Sequence, residues 1–306
     1  MTWPRCGTPT NGRSERLVLS IVYPHESRTI VRIAPAHEAV VCWNTRKPAG
    51  QIDLTAYRAD GQVSSWLPYV RFDEQERRSL NGRDEVASLE TDILSSGEAI
   101  VAIEVRSQSE LDAIVISTPV HAPRPTVDAN GVMLDVAPLS QYVPAYPNQR
   151  GWCSPASLAM LLNYWGGSYT VDEIAAAVMD ASYGGTGNWA FNVAFAGERG
   201  LRGAVVHLDG IAHAAAFIAS GIPLALSFSW KDDLAGAPLA HSTGHLAVLR
   251  GFTKHGHPHF NDPAHPDLTT MYDRASFERV WQRHGGIAYA LVPQERSNEL
   301  LRLANG

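Results

Sequence analysis

Long apolar runs are missing from this sequence. None approaches the roughly 20 residues a helix needs to cross a bilayer, so no helical membrane span is expected. The opening "MTWPRCGTPTNGRSERLVLSIVYPHES" holds no apolar stretch of secretory-signal length. The expectation is a cytoplasmic protein by default, or a secreted one if a native start is missing. Positive charge is also in short supply: 25 Lys and Arg against 31 Asp and Glu give a formal net charge of −6. Nucleic-acid binders are usually basic, so that class is set aside. Cysteine is rarer still, with Cys6, Cys42 and Cys153 and no C-x-x-C, which excludes a zinc ribbon or a thioredoxin motif. Cys6 and Cys42 could pair only if folding brought them together, and free buried thiols are the preferred reading. There is no P-loop, no repeat of fixed period and no low-complexity tract.

What is present suffices for a real core. The chain is 45% hydrophobic and 18% charged over 306 residues, the size of two domains or one large one. Its first part reads as strands: "RTIVRIAP", "AVVCWNT", "IDLTAYRADG", "AIVAIEVRS" and "LDAIVIST" are short, β-branched or alternating runs. Turn residues separate them at Lys47-Pro48-Ala49-Gly50, Asp60-Gly61, Asn81-Gly82-Arg83-Asp84 and Ser95-Ser96-Gly97. The pattern predicts an antiparallel β-sandwich or jelly-roll-like domain over 1–120. No cluster in it has a catalytic look. Trp43 and Trp66 fit core aromatics better than surface grips for a sugar or peptide.

A proline-rich, aperiodic stretch, "TPVHAPRPTVDANG", then predicts a linker over 121–134. "VMLDVAPLSQYVPAYP" follows as a strand leading into a loop. From there the texture changes. "SPASLAMLLNYWG" carries Leu158, Leu161, Leu162 and Trp165 at helical spacing, with Pro155 in the first turn. "TVDEIAAAVMD" opens on a capping box, Thr170 with Glu173. "NWAFNVAFAGERG" is a third helix, and strand-like runs follow: "GAVVHL", "IPLALSFSW", "HLAVLRGF", "HPHFNDP" and "IAYALVP". Helices first and strands after predict an α+β domain over 135–306, helices packed on an antiparallel sheet.

Cys153 sits where a helix begins. Unpaired N–H groups and the helix dipole favour negative charge there, and the thiolate is the nucleophilic form. A thiol nucleophile needs a base. "STGHLAVLRGF" offers His245 and "HFNDPAH" offers Asp262 one strand later, with Asn261 a weaker candidate for the same role. If the two strands form a hairpin around "TKHGHP", His245 and Asp262 meet at one end of the sheet. Asp262 then fixes the imidazole tautomer. His241, His255, His257 and His259 are also near, but glycine and proline break any helical metal-binding spacing. The reading therefore assigns no metal and no cofactor.

Taken together, "GWCSPASLAMLLNYWG", "GTGNWAFNVAFAG", "GHLAVLRGF" and "NDPA" resemble the C39-like cysteine peptidases of the papain-like superfamily, in their stand-alone bacterial branch with an N-terminal β-rich module. The resemblance covers about Val136 to Pro293. It implies a papain-like fold, Cys153 as nucleophile, His245 as base and later acid, Asp262 as orienting residue, and a peptide or protein substrate. It also implies a glutamine at the oxyanion. The family's glutamine stands about six residues before the cysteine, whereas this chain has Gln149 closer and Gln141 farther away. Gln141 matches the strand-then-glutamine context and Gln149 competes by proximity. Trp152 and the loop carrying Gly185, Gly187, Asn188 and Trp189 are candidate cleft residues, with packing the alternative for Trp152 and a helix lead-in capped by Asn188 the alternative for the loop. The expected activity is amide hydrolysis through an acyl-enzyme. A papain-like acyl or peptidyl transferase, a non-catalytic glycan- or protein-binding scaffold and a histidine-based metallohydrolase are the alternatives.

Overall fold

The computed structural model describes residues 18–47, 49–73, 75–119 and 127–306. Cys6, Pro48 of the first expected turn and part of the expected linker lie outside the described residues. Among the described residues the first part forms eight strands: β1 (Leu19–Val22), β2 (Arg28–Asn44), β3 (Gly50–Arg58), β4 (Leu67–Phe72), β5 (Arg77–Ser79), β6 (Ser88–Glu90), β7 (Ile93–Ser107) and β8 (Ala113–Ser117). All pair antiparallel in one sheet of order β1-β8-β2-β7-β3-β4-β5, with β6 on β7.

Two expected strands, "RTIVRIAP" and "AVVCWNT", are one. Pro35 lies at the register shift between Arg32 and Ala36, where a missing N–H costs no ladder bond. The expected turn at Ser95-Ser96-Gly97 falls inside β7, at a second register shift, between Ala36 and Glu38. Bulges bend strands, and the sheet does fold over. Val41 and Tyr69 stand three places apart in the pairing order β2-β7-β3-β4, about 14 Å on a flat sheet. Yet the Tyr69 hydroxyl donates to the Val41 carbonyl at 2.8 Å.

The second part is α+β. Helices α1 (Cys153–Tyr164), α2 (Val171–Val178) and α3 (Trp189–Glu198) precede β9 (Leu201–His207). Then come α4 (Ile211–Ala219), β10 (Leu224–Trp230), β11 (Ser242–Phe252), β12 (Pro258–Asn261), β13 (Thr269–Met271), α5 (Arg274–Arg283), β14 (Ile287–Pro293) and α6 (Ser297–Asn305). The sheet runs β13-β12-β11-β10-β14-β9, antiparallel throughout. The capping box at Thr170 forms, with Glu173 accepting from the Thr170 N–H at 2.8 Å. Instead of one apolar face, α1 is buried on every side from Ser154 to Leu162, because β10, β11, α2 and α3 all pack on it. The strand expected in "VMLDVAPLSQYVPAYP" is a single bridge, Met133 to Gly251, in chain that otherwise has no regular structure.

One hydrophobic core runs through both parts. Trp43 of β2 is 1% exposed and stacks on Phe72 at 5.2 Å between ring centroids. It meets Phe191 of α3 edge-on at 5.9 Å. The contact needs Gly197, whose hypothetical Cβ would lie 2.6 Å from the Asn44 amide. A buried ion pair, Arg77 to Glu198 at 2.7 Å, spans the same junction. Trp66 is not a core residue: it is half-buried under the guanidinium groups of Arg28 at 5.2 Å and Arg106 at 4.3 Å.

Candidate active site

The register of two strands brings the candidate base to its partner. Val248 of β11 pairs with Asn261 of β12, so Asp262 continues opposite residue 247 and His245 lies two positions further along. That is the diagonal neighbour on the same face, within reach of long side chains. The His245 Nε2 atom lies 2.8 Å from Asp262 Oδ1. Asp262 is fully buried and satisfied: Oδ1 also accepts from the Ala264 N–H at 3.0 Å and Oδ2 from the Tyr272 hydroxyl at 2.9 Å. Burial pushes its carboxyl up, but the His245 charge and these hydrogen bonds outweigh that and hold it below the usual carboxylate range.

Cys153 is the first residue of α1, and no side chain caps that helix start. The sulfur and the His245 ring act on each other, the ring lowering the thiol's pKa and the thiol raising the ring's. Because Nε2 faces Asp262, Nδ1 is the ring atom left to meet the sulfur. Burial raises the thiol. The hydrogen bond and charge of His245, with the backbone N–H groups of Leu246 and Ser154, more than reverse this, so its pKa is lowered. Burial works against the imidazolium, yet Asp262 and Cys153 together push His245 up to about 10. The arrangement favours a thiolate beside an imidazolium, an ion pair that a dry site strengthens. Phe228 and Trp230 of β10 wall the ring edge-on, at 5.4 and 5.5 Å between centroids.

Cys153 and His245 line one cavity of about 600 Å³ together with Trp152, Gly185, Gly187, Trp189 and Gln149. Trp152 both walls this cavity and packs, against Ala156, Val171 and Ala175. Asn188, expected in the cleft, does not line it. It is fully buried, caps α3 by accepting from the Phe191 N–H at 3.2 Å and donates to Asp180 at 2.9 Å. Gln149 is exposed on the cavity wall. Gln141 is not on it. Its backbone N–H donates to the Pro263 carbonyl at 2.9 Å, and its buried Oε1 has no partner. Asn261 is spent elsewhere, donating to the Val136 carbonyl at 2.7 Å. Among the described residues, no group of three or more His, Cys, Asp or Glu is arranged to hold a metal.

Two supporting residues escaped the sequence reading. Asn192 donates to the carbonyls of Thr186 at 2.9 Å and Asn188 at 2.7 Å, and accepts from Ser154 at 3.1 Å. It thereby ties the glycine loop to the start of α1. A lone Asn inside the apolar "WAFNVAFAG" was a usable signal, since a buried amide needs partners. Tyr272 had no such signal: its backbone sits beside Pro258 at the far end of β12, and only its folded side chain brings the hydroxyl to Asp262.

The sequence profile of the Peptidase_C39 like family matches residues 133–289. A chain described as a C39-like peptidase from Bacillus anthracis is 18% identical, with a TM-score of 0.41 over 53% of this chain and 96% of that one. A double glycine motif protease from an AMS/PCAT transporter, solved in complex with its leader peptide, is 18% identical, with a TM-score of 0.37 over 54% and 96%. No curated protein matches. No helix among the described residues is long and apolar enough to cross a membrane.

Proposed function

The chain belongs to the Peptidase_C39 like family, and on that footing we propose that it is a cysteine peptidase that cuts amide bonds through Cys153, His245 and Asp262. One observation carries the reading: a helix-start thiol and an imidazole share the wall of one cavity, and behind it the imidazole Nε2 lies 2.8 Å from a buried carboxylate. The thiolate attacks the carbonyl of a bound peptide. His245, as imidazolium, protonates the leaving amine, then takes a proton from water as it opens the acyl-enzyme. Asp262 holds the ring and stays ionised.

The developing oxyanion takes the backbone N–H of Cys153 and one glutamine amide. Gln141 is the assigned donor, because it ends the strand-like run before the cysteine and its buried Oε1 has no partner that would fix the amide elsewhere. Gln149 competes through its place on the cavity wall. Alanine at the true donor lowers kcat by about 10²-fold and at the other glutamine leaves it near the parent value. The division into 1–120, 121–134 and 135–306 belongs to the same proposal, as does a peptide or protein substrate.

The test is digestion of a random peptide library, read by mass spectrometry. Products that form with the parent chain and vanish with Cys153→Ala support the reading. Products that persist, or a parent chain that cuts nothing while its thiol alkylates readily, sink it.

A further inference from the structure

The β part of the chain held no residues of catalytic look, yet some of it stands in the cleft. The β6–β7 hairpin brings Glu90, Asp92 and Ile93 to the wall of the cavity that holds Cys153 and His245, and β2 adds Glu38. The hairpin is held in place on two sides. The Thr91 N–H donates to Asn81 at 2.7 Å, and Asp92 accepts the Trp189 N–H, at the start of α3, at 2.6 Å. A neighbouring edge, β5, steadies the facing loop: the Ser79 N–H donates to Asp180 at 3.0 Å, and Asp180 also takes the N–H groups of Ser182 and Tyr183.

The wall is acidic and unneutralised. Among the described residues, no Lys or Arg pairs with Glu38, Glu90 or Asp92. Asp92 is only 7% exposed, and burial pushes its carboxyl up to about 7. A buried carboxyl without a cation gains from any cation brought to it. The opposing groups are fewer. Arg150, like Glu38 and Glu90, lines the cavity as an exposed side chain, and burial lowers the pKa of His284 and so favours its neutral form, so three carboxyls face one guanidinium. A cleft lined mostly by one sign of charge concentrates such a field.

We propose that the N-terminal β region forms the specificity wall of this cleft and selects polypeptide substrates with a lysine or arginine side chain beside the scissile bond. The inference rests on Cys153 being the nucleophile of the cleft. It assigns the β region a share in substrate choice and not only in stability.

The experiment uses the full chain and sets of peptides identical except for Lys, norleucine or Glu, scanned through the positions around the cut. Two readouts are taken: protection of Cys153 from iodoacetamide, which needs no turnover, and kcat/KM. At one or two positions Lys should outperform norleucine by about tenfold and Glu should do worst, with the preference shrinking as salt rises. The double variant Glu38→Gln, Glu90→Gln should bring the Lys-to-norleucine ratio close to one. A ratio within twofold of one in the parent chain overturns the proposal, as does a ratio the double variant leaves unchanged, or no protection by any peptide. Selective protection without cleavage supports the cationic preference while sinking the hydrolase reading; cleavage without preference does the reverse.

Discussion

Cys42 and Cys153 are the same chemical group in two regions folded around one core, and they end in opposite states. Cys42 lies on β2 in the β region, 1% exposed among apolar neighbours. Burial pushes its thiol up to about 12, and the one N–H that opposes this, from Val205, is too little. Cys153 is half-buried on the cavity wall; burial raises its thiol too, yet its pKa falls, because an imidazole with a carboxylate behind it compensates. Depth alone therefore does not decide whether a thiol is inert. What decides is whether the fold delivers a positive partner before water is excluded, since a lone buried charge is far costlier than a paired one.

The sharpest way to break this contrast is alkylation. A thiol at about 12 is roughly 10⁻⁵ ionised at pH 7, so iodoacetamide should label Cys153 at least about 10³-fold faster than Cys42. Peptide mapping of a time course measures the ratio, and near-equal rates would erase the distinction. Next in size is His245→Ala. It should slow labelling of Cys153 at pH 7 by about 10- to 100-fold and leave Cys42 where it was. A thermal melt checks that the variant folds.

In the other region the effect should be on stability. Cys42→Ser buries a hydroxyl in a site built for sulfur and should cost about 1–3 kcal/mol by urea unfolding, without changing kcat/KM. Alkali sharpens the same point. A raised folded pKa means stability that is complete below the unfolded thiol value, about 8.5, and is lost as pH climbs toward about 12. His245, also raised, adds a loss through about 10. The melting temperature should therefore fall above pH 9, less steeply in Cys42→Val. At the acid end, the lowered pKa of Asp262 contributes stability above the unfolded carboxylate value that disappears as pH drops through the folded one. The smallest expected effect is Tyr272→Phe. It removes one of three hydrogen bonds to Asp262 and should lower kcat by about 2- to 10-fold, with a shift in the acid limb of the pH–rate profile as the sign that positioning was lost.

Much of the second region was legible because its signals are local. Thr170 and Glu173, three residues apart, cap α2 through their own side chains, and Asn188 caps α3. Cys153 could be placed at a helix start because Pro155 and the leucine spacing mark one. The first region was harder. Pro35 reads as a strand break in any local window, and only the pairing of β2 with β7 turns it into a bulge. The single-faced reading of α1 failed for a related reason: its polar positions, Ser154 and Ser157, are buried by elements that arrive from far along the chain.

The residue types and their order, with a thiol before a helix, a histidine opening one strand and an aspartate ending the next, were set by the sequence, because caps, turns and side-chain period act over a few residues. Tertiary structure alone decided that Asp262 would be fully enclosed, that Asn188 would be buried against Asp180 and away from the cleft, and that carboxylates from the β6–β7 hairpin would line the same cavity as the thiol. Those outcomes depend on which surfaces exclude water together, and that is a property of packing between segments some hundred residues apart rather than of any one of them.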